Sequence, residues 1–87
     1  MEKEKLLEIV GYVKVSDYRT QTLKFIGDGR KMPSEIAKKL GIGTSHASNI
    51  LRALKKYDLV VCTNPNVRKG RLYENTPLAY EVLKNLD

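Results

Sequence analysis

The chain has 87 residues, enough for one domain that buries about 60–65% of the surface its unfolded form exposes, so large substrate cavities are not expected. Sixteen Lys and Arg against ten Asp and Glu give a formal charge of +6 and a pI of about 9.6, which favours polyanion partners, either nucleic acid or an anionic membrane surface. A single cysteine, Cys62, excludes an intramolecular disulfide and fits a reducing compartment. No apolar run approaches the roughly 18–20 residues that span a bilayer and no signal peptide is evident, so the expectation is a soluble, cytoplasmic protein.

In chain order, Leu6, Leu7, Ile9, Val10 and Val13 recur at roughly helical spacing behind Glu2 and Glu4, which suit the positive end of a helix dipole. A helix to about Val13 is predicted, although Gly11 and the β-favouring Tyr12, Val13 and Val15 weaken its far end. Ser16 reads as the N-cap of a second helix, with Asp17 in its first turn, an inner face of Tyr18, Thr22, Leu23, Phe25 and Ile26, and a stop at Gly27-Asp28-Gly29. Arg30 and Lys31 read as a short, solvated basic connector. Pro33 suits the first position of a helix to about Leu40, with Ile36, Ala37 and Leu40 inward, Lys38 and Lys39 outward, and Met32 at a cap position where Ser or Thr is usual. Gly41 is expected at the left-handed position that ends this helix.

Residues 44–57 form the next helix. Ala47, Ile50, Leu51 and Leu54 share one face, and Ser45, Asn49, Arg52 and Lys56 point the other way. Lys55 and Lys56 complement the negative end of its dipole. A short helix, a glycine turn and a longer helix make a helix-turn-helix signature. After a turn at Asp58, residues 59–63 read as a strand, Asn64-Pro65-Asn66 breaks it, and residues 71–75 return as its partner, with Arg68, Lys69 and Arg71 at the hairpin tip. Thr76 and Pro77 open the last helix, whose apolar face is Leu78, Ala79, Val82, Leu83 and Leu86. The fold class expected is mainly α with a small β-hairpin (α+β). Residues 1–87 form one domain: an N-terminal helical extension (1–15), a core (16–75) and a C-terminal helix (76–87).

The order of elements and several motifs carry a resemblance. Ser16-Asp17-Tyr18-Arg19, Pro33-Ser34-Glu35-Ile36-Ala37, Gly41-Ile42, Ser48-Asn49-Ile50-Leu51-Arg52-Ala53-Leu54 and Lys69-Gly70-Arg71-Leu72-Tyr73-Glu74-Asn75-Thr76 follow one another over residues 16–86. In this the chain resembles the small archaeal winged helix-turn-helix transcriptional regulators, related to the arsenical-resistance and multiple-antibiotic-resistance repressors. The resemblance implies that helix 44–57 enters the major groove and that the wing, residues 64–71, lies on the neighbouring backbone or in the minor groove. Gly43 stands where the family's recognition helix usually carries a Ser or Thr cap, and Met32 replaces the earlier cap.

Ser45, Asn49 and Arg52 are the candidates for base edges: Arg52 can bridge guanine O6 and N7, and Asn49 can pair with adenine. Arg52 is also a candidate for phosphate. Thr44, His46 and Ser48 flank this stripe and suit phosphate or sugar; Lys56 extends it. Arg68, Lys69 and Arg71 are the wing's candidates for phosphate, with Lys38 and Lys39 weaker ones. One His and one Cys do not make a metal site, Cys62 reads as a small buried hydrophobe, and the five tyrosines read as core-edge residues. No glycine-rich phosphate loop, nucleophile elbow or carboxylate pair is present, so neither an enzyme nor a cofactor is expected. Two functions follow. The first is sequence-specific binding of double-stranded DNA by a transcriptional regulator, dimerising through apolar stripes on its first and last helices. The alternative is a protein-interaction module within a transcription or replication assembly, or an RNA-binding protein.

Overall fold

The computed structural model describes residues 2–86, so the ends of the expected domain, Met1 and Asp87, lie outside the described residues. The chain folds as α1 (Lys3–Lys14), α2 (Asp17–Ile26), β1 (Arg30–Lys31), α3 (Pro33–Leu40), α4 (Thr44–Lys56), β2 (Val60–Cys62), β3 (Tyr73–Asn75) and α5 (Pro77–Lys84). This is the expected α+β class, five helices on a small antiparallel sheet. The element bounds differ from the sequence reading by a residue or two, except that both hairpin strands and α5 are shorter.

One expectation is corrected. Arg30 and Lys31 are not a free connector but a third strand, giving the order β1-β3-β2. Arg30 lies opposite Glu74 and Lys31 opposite Tyr73, and the Arg30 guanidinium meets the Glu74 carboxylate at 3.4 Å. Their backbone groups thus find ladder partners, and a cross-strand charge pair reinforces the register. On the other side of β3, Val60 faces Asn75 and Cys62 faces Tyr73.

Local chemistry explains where helices start and stop. The Ser16 hydroxyl accepts the Arg19 N–H at 3.3 Å and the Thr76 hydroxyl accepts that of Ala79 at 3.3 Å, so both predicted caps form. At Met32, which has no capping side chain, half of the usual reciprocal box survives: the Glu35 carboxylate accepts the Met32 N–H at 2.9 Å. Gly41 adopts φ 69 and ψ 36, and beyond it the Ile42 N–H reaches back to the Ala37 carbonyl at 3.0 Å. The same closing turn ends α4, with Asp58 at φ 60 and the Leu59 N–H on the Leu54 carbonyl at 3.0 Å. Ile42 and Leu59, the residues just beyond the two turns, tuck toward the core and fix how α4 leaves α3 and enters the wing.

The core collects Ile9, Val10 and Val13 of α1, Leu23 and Ile26 of α2, Ile36 of α3, Ala47, Leu51 and Leu54 of α4, and Ala79 and Val82 of α5. Buried Asn75 stitches β3 to the end of α2, its amide donating to the carbonyls of Leu23 at 2.9 Å and Gly27 at 3.0 Å. The apolar stripes of the first and last helices are largely spent here. Val10, Val13, Val82 and Leu86 are buried and Leu6, Leu78 and Leu83 pack against them, leaving Leu7 exposed. The stripes therefore supply less free apolar surface for a partner than their sequence pattern promises.

Candidate nucleic-acid interface

Helix α4 lies open on its polar side. Thr44, Ser45, His46, Asn49, Arg52, Lys55 and Lys56 are exposed and Ser48 is half-buried, while the opposite face is locked into the core. The N-cap Gly43 has an extended backbone and no side chain to cap with, so the first N–H groups of α4 meet solvent.

The structure divides the ten predicted site residues into three groups. Thr44, Ser48 and Arg52 line a cleft shared with Arg68, Lys69 and Arg71 of the wing and with the start of α3 at Met32, Pro33 and Ser34. Ser45, Asn49 and Lys56 run along the outward crest of the helix. His46 turns to the far flank, where its ring meets Tyr18 of α2 edge-on, with centroids 5.1 Å apart. Farther along that flank Tyr57 stacks on Tyr12 at 4.0 Å, and the Arg19 guanidinium covers the other side of the Tyr12 ring at 3.9 Å. The recognition candidate thus has a cationic flank beside the wing and an aromatic flank beside α1 and α2.

The wing is an ordered loop rather than a loose tip. Asn64 clamps it from both ends, its amide donating to the Gly70 carbonyl at 3.0 Å and its side-chain oxygen accepting the Leu72 N–H at 2.7 Å. Arg71 donates through Nε to the Val67 carbonyl at 2.8 Å. Among the described residues, Arg68 and Lys69 project without a charge partner. Cys62 is buried beneath the loop and its thiol points to the Asn64 oxygen at 3.6 Å, as befits a structural cysteine.

Charge is the strongest signal. Residues 44–57 and 64–71 carry six Lys and Arg and no acid, while the other ten Lys and Arg are balanced by all ten Asp and Glu. The whole +6 therefore sits on α4 and the wing. Among the described residues the ion pairs are Arg30 with Glu74 and Lys84 with Glu81, so none of these six cations is compensated by one. Among the cleft residues that sequence reasoning missed are Lys55 and Ser34. Lys55 was legible, because it continues the helical face of Thr44, Ser48 and Arg52. Ser34 was not, since the approach of α3 to the wing is tertiary. The weaker candidates Lys38 and Lys39 stand apart from this cleft, and Lys39 lies 5.7 Å from the Phe25 ring. Among the described residues no cluster of metal-ligating side chains occurs, and no helix is long and apolar enough to cross a membrane.

This arrangement, a helix-turn-helix followed by a clamped basic hairpin, defines a winged-helix domain. Residues 22–85 match the O-methyltransferase dimerisation domain, and the chain belongs to that family. In three dimensions it is similar to the adhesin competence repressor AdcR of Streptococcus pyogenes, with a TM-score of 0.69 and 21% identity over 97% of this chain and 69% of that one. At that identity the likeness is one of fold. No curated protein sequence matches the chain.

Proposed function

We propose that this protein is a transcriptional regulator of the small archaeal winged-helix kind, binding specific double-stranded DNA with α4 in the major groove and the wing on the adjoining backbone. The observation that carries the reading is the charge distribution: all of the net charge lies on α4 and the wing, and five of those six cations line one cleft. The fold shared with a protein named as a repressor supports it. In this reading Arg52 and the α4 crest meet base edges, Thr44, Ser48 and Lys55 meet phosphate or sugar, and the protein binds without catalysing a reaction.

Selection of bound sequences from a random duplex pool at near-physiological salt tests the proposal. Enrichment of a motif supports it, and a palindrome with half-sites about 34 Å apart supports a two-fold dimer. A pool that stays random, or RNA that displaces duplex at equal concentration, overturns it.

The family description favours a second reading, association with another protein chain through this domain. The two readings meet if the partner is a second copy. Leu7, Val15 and Tyr80, on or beside α1 and α5, are exposed apolar side chains available to it. Sedimentation that finds only monomer at high micromolar concentration would remove the homodimer, and a stable complex with another protein alongside sequence-blind DNA binding would favour the second reading.

A further inference from the structure

Arg52 occupies the junction between the crest of α4 and the wing cleft, and what holds it there decides how it reads DNA. Its Nη1 donates to the Asn49 side-chain oxygen at 2.9 Å, one helical turn earlier on the same face. No acidic residue occurs from Thr44 to Tyr57, so no carboxylate on α4 is available for this role. Arg52 also borders the cleft lined by Lys55, Arg68, Lys69 and Arg71, whose like charge opposes movement of the guanidinium deeper into it. Asn49 therefore tethers Arg52 toward the crest.

The tether is neutral, and that matters. An aspartate at position 49 would hold the guanidinium as well but would cancel its charge and repel phosphate. Asparagine fixes the direction and leaves the cation whole. The bond engages Nη1 and leaves the edge formed by Nε–H and Nη2–H open, a planar two-donor fork that matches the O6 and N7 acceptors of guanine. The same bond engages the Asn49 oxygen, so a bidentate contact with adenine N6 would have to share that acceptor through its second lone pair.

We propose that Asn49 is a positioning residue rather than a base reader: it pre-orients Arg52 on the α4 crest, and the pair recognises one guanine as a unit. This rests on the DNA-binding reading above and offers a different role from the adenine contact expected for Asn49 from sequence.

The test is duplex selection with the parent protein and with Asn49→Ala, Asn49→Asp, Arg52→Ala and the Asn49→Ala/Arg52→Ala double variant. Affinities for the selected site and for a site substituted at the guanine position accompany it. All four variants change only exposed residues, Asn49 and Arg52, and unchanged melting curves verify the fold. Arg52→Ala is expected to erase one G·C preference, and Asn49→Ala to weaken the same preference on the order of tenfold, with the double variant no worse than Arg52→Ala alone. Asn49→Asp keeps the acceptor and loses the amide donors. It is expected to bind more weakly everywhere yet to retain the G·C preference and change no A·T position, whereas an adenine reader would lose an A·T preference.

A change at a separate A·T position in Asn49→Ala overturns the proposal. So do additive losses in the double variant, an unchanged preference in Asn49→Ala, or a G·C preference that survives Arg52→Ala. A parent protein that enriches no sequence fails differently: it removes the DNA-binding reading itself, and the positioning role with it.

Discussion

Asn75 shows how much one buried amide can hold. Its two N–H donors reach the carbonyls of Leu23 and Gly27 at the end of α2, where the Gly27 N–H at 3.1 Å and the Tyr80 hydroxyl at 3.4 Å supply the second donors. Its oxygen is buried and makes no hydrogen bond within the described residues. Asn75→Ala therefore removes two hydrogen bonds while deleting one unmatched oxygen, and because each carbonyl keeps a second donor, an expected loss of about 1–2 kcal/mol follows from the bonds themselves. Asn75→Asp is expected to cost more, because it sets a carboxylate against two carbonyl oxygens and removes both donors. Urea unfolding with an unchanged m-value should rank the parent, Ala and Asp proteins in that order. Lys69 is the opposite case, exposed and unpaired. Lys69→Ala should leave stability within about 0.5 kcal/mol, weaken DNA binding alike on all sequences, and lower the salt slope by about one. Binding isotherms at several salt concentrations check both the uniformity and the slope.

At the scale of elements, the two turns that frame α4 are built alike from different residues. Gly41 takes the left-handed position freely, whereas Asp58 holds φ 60 against the crowding a Cβ brings there. Asp58→Gly should relieve that strain, offset in part by the extra freedom glycine has when unfolded, for a net gain of about 0.5–1 kcal/mol. A higher melting temperature checks it, and a lower one would mean that the aspartate side chain contributes more than its backbone costs. This pair also marks what was legible in the sequence. Gly41, Pro33, Ser16 and Thr76 announce helix ends through local chemistry, and all four stand where local rules place them. Asp58 was readable as a turn but not as a left-handed one, and β1 was not readable at all. Arg30 and Lys31 have no strand pattern of their own; they become a strand because β3 lies beside them. The site divides in the same way. Helical periodicity separates the core face of α4 from its polar face, but not the wing side from the aromatic side, which depends on where β3 and α1 come to rest.

At the scale of the whole molecule, charge rather than shape sets the behaviour to expect. With the rest of the chain balanced in charge, electrostatic attraction to a polyanion orients the protein as well as drawing it in, because the net excess lies on α4 and the wing. If all six cations of α4 and the wing displace counterions from duplex phosphates, log K should fall against log salt with a slope of about −5 per protomer and about −10 for a dimer. Neutralising Arg68, Lys69 and Arg71 together removes half of those cations and should halve the slope, while a wing still clamped by Asn64 keeps the fold intact. The slope therefore counts protomers on the DNA independently of any molar-mass measurement. A protein that sediments as a dimer yet shows a slope near −5 would engage through one recognition helix only, which would overturn the two-half-site arrangement while leaving the DNA contact of each protomer in place.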